Sequence, residues 1–272
     1  MNIFQLGQFC TAIKTGMNKT LSIALFCMLL LSVAHAQPKG DSTRRTTTFS
    51  GSLGFTNNGF SIIPSFSLNS PASTILLSWR REKFSIDPDI RITPDGRRGG
   101  ILLWFRYHAV ETKRFRLRTG FHPAMNLQTR KLTEEGFTRE ITQMRRFLAW
   151  ELAPSYSIND KWKVGLYYLQ GNGLQKDGPR TTHFINLNAT VANLKISKDI
   201  RLTLIPAVYH LVMDGYTGNY FTATGILGHV RYPFTLQSNI NKTFSSNLPG
   251  NKDFLWNVAF VYSFSRRLEL KK

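Results

Sequence analysis

Apolar and polar residues alternate one by one along most of this chain, and a side-chain period of two fits strands and excludes helices. Phe84, Ile86, Pro88, Ile90 and Ile92 alternate with Ser85, Asp87, Asp89, Arg91 and Thr93. Ile101, Leu103, Phe105 and Tyr107 share one face, with Arg106 and His108 on the other. Phe115, Leu117 and Phe121 oppose Arg116, Arg118 and His122, and Leu148, Trp150 and Leu152 flank Glu151. Near the end, Trp256, Val258, Phe260, Tyr262 and Phe264 alternate with Asn257, Ala259 and Ser263. Segments of about ten residues follow one another with turn residues between them and no amphipathic helix to cover a sheet.

A soluble sandwich would alternate in the same way, so the polar face and what precedes the strands must decide. Lys14 and Lys19 precede the apolar run Leu21 to Val33, which leads to Ala34, His35 and Ala36 before Gln37. That is the pattern of a secretory signal with cleavage after residue 36; Met17 gives a signal of ordinary length and is the expected start. The run is too short for a membrane-spanning helix. Removal of residues 1–36 leaves 236 residues (272 less 36) and a charge of +17, the full-length +19 less Lys14 and Lys19. Both cysteines, Cys10 and Cys27, leave with it, so stability rests on packing and hydrogen bonds.

An exported, strand-only chain with apolar outward residues and charged inward ones fits a sheet in lipid. Such a sheet must close on itself, because an open edge would leave backbone groups unpaired. The expected fold is all-β: a closed antiparallel transmembrane β-barrel of about twelve strands, with ten to fourteen compatible with the length. It spans residues 45–265, after a periplasmic segment 37–44 and before a basic tail 266–272.

The final strand, Phe254 to Phe264, is aromatic at its end. In this and in its architecture the chain resembles the outer-membrane β-barrels of Gram-negative bacteria, those of the Bacteroidota type in particular. The resemblance implies outer-membrane localisation and recognition of the last strand by the barrel-assembly machinery. It names no subfamily.

Counting back from a last strand that ends in the periplasm makes the connections Thr93–Arg98, Gln128–Phe137, Gly171–Thr181, Asp214–Asn219 and Ser246–Asp253 extracellular. Arg97, Arg98, Arg130, Lys131, Lys176 and Arg180 then face the lipopolysaccharide phosphates, either as contacts or as ordinary solvated loop charges. Outer-membrane lipid and small anionic solutes are the other expected partners. Nucleic acid is disfavoured, because the basic residues alternate with apolar ones and form no continuous patch. No cofactor or metal is expected, since the histidines lack ligand spacing. No catalysis is expected either: the one local cluster, His210 with Asp214 and Thr217 or Thr222, has no serine nucleophile motif.

Register arithmetic places Asp87 near Trp104, Arg106 opposite Arg116 or Arg118, and Glu151 near Arg116. Like charges directly opposed are unfavourable, so anions must flank them. The expectation is a transverse charge ladder of Asp87, Asp89, Arg91, Arg106, Arg116, Arg118 and Glu151 on the inner wall. Such a ladder either plugs and rigidifies the barrel or forms a selectivity constriction. A pore-like or transport-associated barrel with a charged interior is the favoured function. A non-conducting interaction barrel is the alternative, and a lipid-modifying hydrolase a minor one.

Overall fold

The computed structural model describes residues 46–59, 61, 63, 66–134, 137–176 and 178–269. The expected signal peptide 1–36, the expected periplasmic segment 37–44 and residues 270–272 lie outside the described residues. Twelve strands form one closed antiparallel sheet in which each pairs with its neighbour in sequence and β1 pairs with β12. They are β1 (Thr46–Thr56), β2 (Ala72–Arg81), β3 (Phe84–Ile92), β4 (Gly99–Glu111), β5 (Phe115–Glu134) and β6 (Phe137–Ser157). The remainder are β7 (Trp162–Gly173), β8 (Thr181–Lys195), β9 (Ile200–Met213), β10 (Tyr216–His229), β11 (Phe234–Ser246) and β12 (Phe254–Glu269). No edge is left open, which is the condition for a sheet in lipid.

The connections lie at two ends of the barrel, and the four longest are all at one of them. At one end, here the turn end, lie 82–83, 112–114, 158–161, 196–199 and 230–233; at the other, the loop end, lie 57–71, 93–98, 135–136, 174–180, 214–215 and 247–253. Three expected loops are shorter than the sequence suggested. Residues 128–134 and 137–143 continue β5 and β6 as a paired arm, with Glu134 opposite Phe137, instead of forming a loop from Gln128 to Phe137. Gly171–Gly173 belong to β7, and Tyr216–Asn219 belong to β10. Asp214 and Gly215 make the β9–β10 turn alone, with φ of 50° and 86°, the left-handed pair that a two-residue hairpin demands. At the C-terminus, β12 runs past Phe264 to Glu269, and Arg266 pairs with Phe49, so the boundary expected at 265 falls inside a strand.

The outer wall is an apolar belt. Phe84, Leu148, Trp150 and Phe260 stand exposed on it, and Ile86, Ile90, Leu103, Phe105, Leu117 and Val258 share their outward parity. Aromatic pairs bridge neighbouring strands there, as between Phe105 and Phe121 (5.1 Å, stacked) and Phe234 and Phe260 (5.3 Å, stacked).

The inner wall differs from end to end. Toward the loop end Trp104, His122, Ala149, Phe184, Leu211 and Tyr220 are buried, whereas toward the turn end Arg80, Arg118 and Ser263 retain solvent contact. Part of this closure comes from the connection 57–71, which folds inward. It closes its own backbone bonds, Gly59 N–H to Ser70 O (2.7 Å) and Leu68 N–H to Gly59 O (2.7 Å). A loop can enter an apolar space only if its polar backbone is satisfied in this way. Its Phe66 meets Phe147 of β6 edge-on (5.2 Å), and its Ile63 packs on the cluster formed by Phe184, Tyr209, Leu211, Met213, Tyr220 and Leu248.

Candidate functional site: the barrel interior

Inward parity puts Asp87, Asp89, Arg91, Arg106, Arg116, Arg118 and Glu151 all on the luminal wall. Four of them form one connected group. Arg106 donates from Nη1 to Asp87 Oδ2 (2.8 Å) and from Nε to Glu151 Oε1 (2.9 Å). Arg118 Nε lies 2.9 Å from the same Glu151 oxygen. Ser78 and Ser85 hydroxyls donate to the two oxygens of Asp87 (2.6 and 3.0 Å), and the Arg106 guanidinium also covers the Trp104 ring at 4.3 Å.

The group runs across the strands from β2 to β6, and a glycine makes the span possible. Gly120 of β5 lies opposite Arg106 on one side and Glu151 on the other. A β-carbon on Gly120 would come within 2.9 Å of Arg106 Cγ and 2.8 Å of Phe105 O, so the arginine stem lies across the bare backbone to reach the carboxylate two strands away. The Glu151 side chain is fully buried, and those of Arg106 and Asp87 are 17% and 14% exposed. Removing such groups from water is costly unless they are paired and hydrogen-bonded.

The remaining three stand apart. Asp89 and Arg91 pair with each other along one strand, in a fork of 2.8 and 3.0 Å. Arg116 is exposed, opposite Ser155 on β6 and Glu111 on β4. The expected contacts of Arg106 with Arg116 or Arg118 across the hairpin, and of Glu151 with Arg116, are therefore corrected. The β4–β5 turn centres on 112–114, the ladder shifts between His108 and Val110, and β5 and β6 close tightly at 134 and 137. Together they bring Gly120 opposite both Arg106 and Glu151. A second charged contact, unforeseen from the sequence, joins Arg80 to Glu111, which also faces His108 at 3.6 Å.

Toward the loop end, the opposite arc of the wall, β8 to β12, is filled without charge. Tyr209 and Tyr220 stack at 4.7 Å; Tyr209 donates to Asn241 Oδ1 (2.8 Å), and Tyr220 bonds Ser246 (2.8 Å) and Asn251 (3.1 Å). Asn257 links Thr56 (3.2 Å) to Asn239 (2.9 Å), which accepts from Thr224 (2.6 Å).

The six rim cations do different things. Arg98 donates to Leu68 O (2.9 Å) and Ser70 Oγ (2.6 Å) and so holds the inward loop, while Arg97 reaches Glu140 on the β5–β6 arm at 3.5 Å. Arg130 donates to Gln143 across the arm (3.0 Å), and the Arg180 backbone N–H donates to Asp214 (2.9 Å). Lys131 and Lys176 are exposed. The cluster of His210, Asp214, Thr217 and Thr222 is not assembled. His210 faces outward and bonds Asn219 (2.8 Å), Thr222 faces the lumen, and Asp214 accepts from the backbone of Arg180 and Thr181.

A closed strand ring with an apolar outside and a polar, partly charged inside defines the class: a transmembrane β-barrel of the outer-membrane kind, with twelve strands. No protein-family model matches the chain, and no curated protein matches it. Among solved structures, the KdgM porin is similar over 79% of this chain and 99% of its own, with a TM-score of 0.48 at 12% identity. The beta domain of the Bordetella autotransporter BrkA is similar over 80% and 98% (TM-score 0.44, 10% identity). LpxR from Salmonella typhimurium is similar over 79% and 100% (TM-score 0.42, 13% identity).

Proposed function

We propose that the chain is an outer-membrane barrel that is closed to ions at rest and acts by binding at its loop end. One observation carries the reading: the inward side chains Glu151, Leu211, Tyr220 and Asn241, from four strands, are 0% exposed. A water-filled pore would wet its lining. The charged group is then a strut between strands, and the loop end supplies the recognition surface. There Arg97, Lys131 and Lys176 are exposed to anionic lipid phosphates, with lipopolysaccharide the natural candidate.

Planar-bilayer recording tests this. The protein is expected to give no ohmic steps at moderate voltage, and a steady porin-sized conductance would overturn the reading. A conducting role is the second reading, favoured by the wetted turn end with Arg80, Arg118 and Lys163 on its inner wall. That reading expects anion-selective steps from the unaltered protein.

A further inference from the structure

Between the inward loop 57–71 and the β4–β8 wall lies a cavity of about 170 Å³. Its lining is mostly apolar, with Leu68, Trp104, Phe147 and Leu169 around it, and His122 and Asn126 on the same wall. Those two polar side chains are only 5% and 8% exposed. Asn126 Nδ2 donates to Gly99 O (3.2 Å), which fixes the amide orientation and leaves Oδ1 as an acceptor. Asn126 Oδ1 has no hydrogen-bond partner among the described residues. Buried polar atoms are nearly always satisfied, so such an atom on an apolar cavity marks a place where a polar group belongs.

We infer that this cavity is a binding site for a small, flat, mostly apolar molecule little larger than one aromatic ring and bearing one N–H or O–H donor. The size follows from comparison with dry protein cavities of about 150 Å³, which take a benzene ring. The donor follows from the Asn126 acceptor, and the flat shape from the Trp104 and Phe147 rings. Trp104 already lies against His122 at 3.9 Å between centroids. An ion is disfavoured, because the nearest guanidinium on the lining, Arg91, is paired with Asp89. The inference rests on the closed-lumen reading in one respect: the inward loop forms one wall.

The experiment uses the whole barrel refolded in lipid nanodiscs and 4-fluorophenol as the probe, observed by fluorine NMR, with its O-methyl ether as the donor-free control. One saturable site is expected, preferring the O–H probe to the O-methyl probe by about tenfold, the worth of one buried hydrogen bond. Asn126→Leu should remove that preference, and Ala149→Leu, which fills the cavity from β6, should abolish saturable binding of both. Heat-dependent gel mobility establishes that each variant is folded. No saturable binding to the unaltered protein means that water alone fills the cavity, and overturns the inference. So does equal binding of the two probes, or binding that survives Ala149→Leu. Conductance recorded on the same preparation separates the two ideas: a barrel that conducts yet binds the probe loses only the closed-lumen reading, and a silent barrel without binding loses only the site.

Discussion

The two arcs of the inner wall close the same lumen by different chemistry. From β2 to β6 four charged side chains and two serines span the strands, and their hold depends on every charge having its partner. From β8 to β12 rings, amides and hydroxyls do the filling, and no charge has to be taken out of water. The lesson is one of tolerance. Removing one member of a buried ion pair strands the other, which costs about 3 to 5 kcal/mol, whereas losing one neutral hydrogen bond costs about 1 kcal/mol.

The largest effect should come from Arg106→Met, which leaves Asp87 without its cation and Glu151 with Arg118 alone. A loss of about 3 to 5 kcal/mol is expected in urea unfolding from lipid vesicles, much of it recovered when Asp87→Asn and Glu151→Gln are added. A loss below about 1 kcal/mol would show that the charged arc is no strut. Next comes the belt outside the same arc. Leu103→Arg should cost about 2 to 4 kcal/mol in the same assay, and an unaffected protein would place Leu103 away from hydrocarbon. In the neutral arc, Tyr209→Phe removes only the donor to Asn241 and keeps the stack on Tyr220. About 1 kcal/mol is expected, and a cost equal to that of Arg106→Met would erase the contrast between the arcs.

The smallest effect concerns pH at the rim of the charged arc. The Thr93 hydroxyl, followed by the Arg97 backbone N–H, stabilises ionised Asp95 and holds its pKa below the ordinary value of 3.8. A depressed folded pKa stabilises the turn above the unfolded value, and the contribution disappears as pH falls through the folded one. Thr93→Val should therefore raise the Asp95 pKa in a carboxyl NMR titration. An unchanged titration would remove the hydroxyl as its cause.

The strand ring, its inner and outer parities and the inward charges were legible because in β3 to β6 every second residue is clearly apolar or clearly polar. The exact partners were not. A bulge at His108/Val110 and the position of the turn at 112–114 slide β5 against β4, and nothing in the residue pattern marks either. The role of Gly120 could have been suspected, since a glycine in mid-strand signals a close approach. The neutral arc stayed hidden for a different reason. In β9 the inward Ala207, Tyr209, Leu211 and Met213 and the outward Leu204, Val208 and Val212 are alike apolar, so alternation carries no signal there. The inward fold of 57–71 was equally silent, because its anchors are backbone bonds and the side chain of Arg98, which reads as a solvated loop cation.

Closure of the loop-end half is tested most directly by cysteine reactivity, and the chain beyond residue 36 has no cysteine to confuse it. Thr222→Cys places a thiol on the buried inner wall, and Ser263→Cys places one on the wetted inner wall nearer the turn end. With a small charged methanethiosulfonate reagent on the folded protein in vesicles open to both faces, rapid labelling at 263 and protection at 222 is the expected result. Labelling of both positions at similar rates would mean that water runs the length of the barrel, and the lumen would be a pore.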